Sequence, residues 1–325
     1  MKISPYEPKK LPIKHLNTSK IGVLLGNGRE ALARLDETVI RLPSKVLLEP
    51  LYWQEAISSL RSKEGKSAYL EILKEQLSPS PEGDPLIQRI IAAKEALFIA
   101  KGSRNILNIN FLCKIHKILK RDSPKKEDVG VVRTRQNWIG RKGCSIEEAY
   151  FYPPNARFVK PLLRNLFSYL AKDEDPLLQS AIGFAQLLII HPFMDGNGRL
   201  ARIFAPIYLV RRGVMKEPAL FLSPYFERDR LKYFRRLFEI TTTDRWEEWI
   251  SYYLRGVSLQ AEKTQKKLLL LKAFWEKCRD LVGEKAADSL FRSPLQKKTN
   301  SPIQKKLIKE KILIPKRSFL ILKSI

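Results

Sequence analysis

Cysteine is scarce and scattered in this chain: Cys113, Cys144 and Cys278 are the only three, far apart and with no Cys-x-x-Cys pair. That spacing argues against a cysteine zinc site and a disulfide framework, and suits a reducing compartment. Long apolar runs are missing as well. Stretches such as Leu187 to Ile190 and Leu268 to Leu271 are too short to span a bilayer. No apolar run follows the basic N-terminus, so no signal peptide is expected. No repeat of fixed period shows, and little of the chain alternates as strands do. These absences point to a protein of the cytoplasm, with a secreted effector left open.

Acidic residues are also in short supply. Against 60 Lys+Arg there are 34 Asp+Glu, a formal net charge of +26. Such a surface draws phosphate-rich partners, whether nucleotides, nucleic acid or anionic lipid. Residues 263–325 hold 17 basic and 5 acidic residues, a local charge of 17 − 5 = +12. This segment reads either as a solvated basic tail or as a weak nucleic-acid contact. Hydrophobic residues make up 44% of the 325, enough for a substantial core.

Apolar spacing predicts helices over 20–41, 51–61, from about 67 to 78, and over 84–100, 107–120, 158–172, 176–190, 197–212, 226–240 and 244–282. Between 129 and 154 the groups Val131-Val132, Trp138-Ile139 and Tyr150-Phe-Tyr152 favour extended chain, with Gly140 and Gly143 between them, which predicts a β-hairpin or flap. The expected architecture is all-α with one small β element.

Chemistry concentrates in His191-Pro-Phe-Met-Asp-Gly-Asn-Gly-Arg-Leu-Ala-Arg202. The preceding stretch, 176–190, is apolar nearly all round and should lie at the centre of a bundle. His191 ends it, and Pro192 biases the histidine away from helical geometry. A rigidly held imidazole is a candidate general base. Gly196 and Gly198 let the backbone approach a ligand closely at the start of a new helix, where amides and dipole favour anions. Arg199 and Arg202 share a face three residues apart and suit phosphate oxygens. Asp195 is a candidate Mg²⁺ ligand. The tetrapeptide Gly26-Asn-Gly-Arg29 repeats part of this motif, but without the histidine or the acid, and reads as a packing or surface helix.

The twelve residues resemble the signature of the Fic family, His-Pro-Phe-x-[Asp/Glu]-Gly-Asn-Gly-Arg-x-x-Arg, at every constrained position. Leu47-Leu-Glu-Pro-Leu-Tyr-Trp-Gln-Glu-Ala56, Gly130-Val-Val-Arg-Thr-Arg-Gln-Asn-Trp-Ile-Gly140, Tyr152-Pro-Pro154, Phe221-Leu-Ser-Pro-Tyr-Phe226 and Trp246-Glu-Glu-Trp-Ile250 extend the likeness over roughly residues 10–270. The resemblance implies a Fic-type helical bundle with a β-hairpin flap, preceded by N-terminal helices and followed by a short basic extension. The implied divisions are 1–82 for the N-terminal helical region, 83–262 for the catalytic core, and 263–325 for a basic helix and extension or degraded winged helix.

The resemblance also implies transfer of AMP from Mg-ATP to a Ser, Thr or Tyr hydroxyl of a target protein. His191 would be the base and Asp195 the metal ligand. Gly196, Asn197, Gly198 and Arg199 would cradle phosphate, and Arg202 would pair with the γ-phosphate. Ala149, Tyr150 and Phe151 of the flap would hold the target as an added strand. Glu64 would correspond to an inhibitory glutamate, although Leu60 stands where that pattern has a hydroxyl and Ser59 lies one step further back. AMP removal, another nucleotide or phosphocholine donor, homodimer formation, and a nucleic-acid-binding regulator using 263–325 remain compatible with the residues.

Overall fold

The structure is a computed structural model, which describes residues 4–14, 16, 17, 19–60, 85–102, 107–141 and 143–292. Glu64, the expected helix at 67–78 and residues 293–325 lie outside the described residues. The described chain is helical: α1 (Ser19–Ile40), a 3₁₀ turn (Lys45–Leu48), α2 (Glu49–Ser58), α3 (Pro85–Gly102), α4 (Ile109–Leu119), a second 3₁₀ turn (Lys126–Asp128), α5 (Ala156–Leu170), α6 (Pro176–Ile190), α7 (Asn197–Arg211), α8 (Ser223–Arg228), α9 (Arg230–Thr243), α10 (Trp246–Val282) and α11 (Glu284–Arg292).

Helix α6 is the axis of the bundle. Every residue from Gln179 to Ile190 is buried, as the all-round apolar pattern requires. Pro176 opens the helix, and the Asp175 side chain accepts from the Leu178 amide at 2.7 Å. Its buried polar groups all find partners. The Gln179 amide donates to the Tyr169 carbonyl at 2.8 Å, and Tyr208 donates to Gln179 Oε1 at 2.7 Å. Ser180 and Tyr253 hydroxyls lie 2.8 Å apart, and the Trp249 indole donates to the Ala181 carbonyl at 2.8 Å. These bonds offset the cost of polar burial and fix the rotation of α6 against α5, α7 and α10. Phe184, Phe226, Trp249 and Tyr253 fill the space between them.

The 37-residue α10 packs along α1 and crosses residue 262, the expected end of the catalytic core, as one helix close to the expected 244–282. The expected 226–240 helix is instead two, with Asp229 between them capping α9 through the Lys232 amide. The flap is reduced relative to a hairpin: no β-strand forms among the described residues. Its two sides meet at one antiparallel bridge, Ile139 to Phe151. Around it the Trp138 indole donates to the Cys144 carbonyl, and the Tyr152 hydroxyl donates to the Ile146 carbonyl. Side-chain bonds of this kind replace the ladder that a strand pair would carry.

The copy of the tetrapeptide at 26–29 is helical, in the middle of α1. A Cβ on Gly28 would stand 2.7 Å from a Leu177 methyl, so this glycine permits α1 to approach α6. Arg29 pairs with Asp175. Packing accounts for the repeat.

Candidate functional site

The loop 191–196 leaves the buried end of α6 and re-enters the helix lattice at α7. His191 sits at φ 49°, ψ 62°, a left-handed conformation uncommon for a residue with a side chain. It closes α6 through its own amide to the Leu187 carbonyl at 3.1 Å. Its ring Nδ1 lies 3.1 Å from the Leu188 carbonyl, which can only accept. Nδ1 therefore carries the proton in the neutral ring, and Nε2 is the basic nitrogen.

Three side chains hold the loop around this imidazole. Asn197 spans it from inside: its Oδ1 accepts from the Phe193 amide at 2.9 Å and its Nδ2 donates to the Phe193 carbonyl at 2.8 Å. The Asn197 amide, expected to face phosphate, is turned onto the loop's own backbone. Asn137 donates to the same Phe193 carbonyl at 3.0 Å. Arg133, buried at 3% exposure, donates Nε to the His191 carbonyl at 2.9 Å and Nη2 to the Pro154 carbonyl at 2.5 Å, while its amide donates to the Pro192 carbonyl at 2.9 Å. Burial lowers its pKa to about 10, well above neutrality, so it remains a cation. It ties the His191 backbone to both ends of the flap region.

Gly196 takes φ 82° at the entrance to α7, with His116 Nε2 and Lys120 Cδ each 3.4 Å from where a Cβ would stand. Conformation and space both favour glycine. The first turn of α7 then presents amides that have no acceptor within the helix. On α4, His116 stacks on Phe193 with ring centroids 3.9 Å apart and planes 6° from parallel. It receives the Gly130 amide at Nδ1 and reaches the Asp195 carbonyl with Nε2, each at 2.9 Å. The Asp195 carboxylate accepts from the Gly196 amide at 2.6 Å and from the Lys120 ammonium at 2.5 Å. These bonds outweigh local desolvation and hold its pKa down to about 2.

The two arginines are unlike. Arg199 Nη1 reaches the Leu119 carbonyl at 3.3 Å on the α4 side. Arg202 is 4% exposed, donating to the Ser59 carbonyl at 3.3 Å and to Glu227 Oε1 at 3.0 Å. The C-terminus of α2 therefore rests on the second arginine of the motif. Residues 149–151 lie beyond this loop. Tyr150 is 60% exposed, and Ala149, Tyr150 and Phe151 line an open groove of about 600 Å³ with Tyr6, Arg157, Phe158, Phe238 and Thr242. None of residues 191–202 lines that groove.

The sequence motif thus converges on one loop and one helix start. The side chains it missed, His116, Lys120, Arg133 and Asn137, come from two other segments. The Fic/DOC family model matches residues 106–209, which include all of these groups. The chain carries a Fic/DOC-family domain. Among curated relatives, a protein adenylyltransferase of Caenorhabditis elegans is 31% identical over 90 residues, covering 26% of this chain and 16% of that protein. A probable protein adenylyltransferase of Aquifex aeolicus is 36% identical over 69 residues, covering 21% of this chain and 22% of that one. The matches therefore span less than a quarter of these relatives.

Solved structures share the Fic fold more widely. A Fic family protein from Desulfovibrio desulfuricans matches with TM-score 0.63 and 20% identity over 79% of this chain and 76% of its own. The Fic-1 structure from C. elegans matches with TM-score 0.53 and 18% identity over 78% and 74%.

Proposed function

We propose that this Fic-domain chain is a protein adenylyltransferase, moving AMP from ATP to a Ser, Thr or Tyr hydroxyl of a target protein. The observation that carries the proposal is the tautomer-fixed imidazole of His191, on the same short loop as an ionised Asp195 and the amide-lined start of α7. The names of the partial relatives, both protein adenylyltransferases, support the class of reaction.

In this reading Nε2 of His191 takes the proton of the target hydroxyl as its oxygen attacks the α-phosphorus. The bond to the bridging oxygen breaks, and pyrophosphate leaves. The Leu188 carbonyl holds Nδ1–H throughout, so the imidazolium that forms keeps its orientation. Amides at Gly198 and Arg199 and the Arg199 guanidinium receive the phosphates. Asn197 keeps the loop in shape. Arg202 receives the γ-phosphate by exchanging the Ser59 carbonyl and Glu227 for phosphate oxygens. Asp195 suits Mg²⁺: it is ionised, its side chain is 70% exposed, and no group of three metal-ligating side chains accompanies it among the described residues. A hard cation held by one carboxylate takes its remaining oxygens from water and substrate phosphates. When bound there it would neutralise developing phosphate charge.

The exposed Tyr150 edge and the adjoining aromatic groove receive the target as an extended segment. Glu64 lies five residues beyond Ser59, whose carbonyl already accepts from Arg202. Five residues span at most about 17 Å, so the segment carrying Glu64 starts within reach of the arginine that an inhibitory carboxylate would occupy.

The test is incubation of the full chain with α-labelled ATP and a cell lysate, against His191→Ala and Glu64→Gly. Label should appear on protein, fall at least about 100-fold without the imidazole, and rise with Glu64→Gly. Undiminished labelling by His191→Ala would remove His191 as the base. Running GTP, UTP and CTP beside ATP determines the donor.

A further inference from the structure

Lys120 stands at the C-terminus of α4, one turn after His116, and both grip residue 195. The lysine stem lies over Gly196, with Cδ 3.4 Å from the position a Cβ would take. Its ammonium is 2.5 Å from Asp195 Oδ2, while Oδ1 accepts from the Gly196 amide. The lysine side chain is 18% exposed although the carboxylate it meets is 70% exposed, so the stem is packed and the head is delivered to the carboxylate. Both carboxylate oxygens are thus engaged, one by a full positive charge.

This geometry bears on anything that must share Asp195. A divalent cation arriving alone would have to displace the ammonium, and it would then sit beside a monocation that repels it. A nucleotide triphosphate changes the balance. Its oxygens supply further ligands to the metal and an alternative anion for the ammonium.

We propose that Lys120 is a phosphate-positioning residue that blocks Asp195 to free divalent cation until nucleotide arrives. Metal and nucleotide then enter together, and the ammonium passes from the carboxylate to the phosphate chain. The inference rests on reading Asp195 as the metal ligand of the proposed transferase.

The test uses the full chain, with Mn²⁺ as metal probe and adenosine 5′-(α,β-methylene)triphosphate as inert nucleotide. Lys120→Met keeps the stem over Gly196 and removes the charge, and Lys120→Gln serves as a second variant. Circular dichroism verifies that each is folded. By calorimetry, Lys120→Met should bind Mn²⁺ alone at least tenfold more tightly than the parent. The gain should vanish when Asp195→Asn is added. In EDTA, Lys120→Met should bind the nucleotide several-fold more weakly. Unchanged Mn²⁺ affinity, or unchanged nucleotide affinity, overturns the proposal. If Asp195→Asn alone leaves Mn²⁺-dependent nucleotide binding intact, the assignment of Asp195 as metal ligand fails instead.

Discussion

His116 is neutral in the folded protein and is held that way by its surroundings. Burial against Phe193 is the largest influence and lowers its pKa to about 4 from an ordinary 6.5, helped by the nearby Lys120 and Arg199 cations. Because the folded value lies below the unfolded one, the unfolded chain binds the proton first as pH falls. The stability this histidine contributes is complete above 6.5 and drains away toward pH 4. Between pH 7 and pH 5 the loss should be about 2 kcal/mol. Urea titrations at the two pH values will measure it, with His116→Asn as reference. An equal pH dependence in the variant would show that the acid sensitivity arises elsewhere.

Residues such as His116 mark where sequence reading stops. His191, Asp195, Arg199 and Arg202 are legible because the chemistry they share is contiguous, twelve residues with two glycines and a proline fixing the backbone. His116, Lys120 and Arg133 meet that loop across 79, 75 and 58 residues. Each is an ordinary residue of a helix or loop until the fold brings it there. The resemblance implied a phosphate contact for Asn197, whose amide bonds the Phe193 backbone from inside the loop.

At the level of elements, α2 is joined to the site through polar contacts as well as packing. Glu55 on α2 is buried, receives the Ser223 hydroxyl from α8, and faces Arg202 of α7, which also holds Ser59 and Glu227. Its second carboxylate oxygen has no hydrogen-bond partner. Burial therefore outweighs the Ser223 bond and the Arg202 charge and pushes the Glu55 pKa up to about 7 from 4.5. Here the folded value lies above the unfolded one, so the native state keeps the proton longer, and stability from this group is lost as pH rises from 4.5 through 7. Glu55→Gln keeps an acceptor for Ser223 and cannot ionise. Between pH 5 and pH 8 the parent should lose on the order of 2 kcal/mol relative to this variant. Paired chemical denaturation at those pH values reads the difference, and no divergence would mean that Glu55 stays charged throughout.

The helices themselves were readable because burial follows their period. Helix α6 falls on the expected bounds, 176–190, and ends at the expected histidine. The split at Asp229 was not readable, since one side chain capping a new helix interrupts an amphipathic pattern without changing its polarity. Nor was the loss of the hairpin. Val131, Val132, Trp138 and Ile139 favour strand, but Arg133 and Asn137 are drawn to the loop at 191–193 and pull the segment out of register.

For the whole molecule, the decisive element is α10, which the charge pattern suggested dividing at 262. Beyond that point Leu268, Leu271, Trp275 and Cys278 are buried, and Lys267 donates to Gln54 Oε1 of α2 at 2.9 Å. Gln265 reaches the Arg34 carbonyl of α1 at 3.2 Å, and Trp275 donates to Asp288 of α11 at 2.9 Å. The second half of this helix therefore covers the N-terminal helices that place α2 against Arg202. Lys266, Lys277 and Arg279 are exposed on its outer face, while Lys267 and the buried apolar residues lie on the side that faces the core. Removing four buried apolar side chains forfeits roughly 6–10 kcal/mol at about 2 kcal/mol each, comparable to the whole stability of a typical domain. A chain ending at residue 262 should accordingly be insoluble or lack a cooperative melt. One ending at 292 keeps every described contact of α10 and should unfold cooperatively. Thermal melts followed by circular dichroism on the two truncations separate these outcomes. A well-folded 1–262 protein would show that α10 carries its basic half as an appendage.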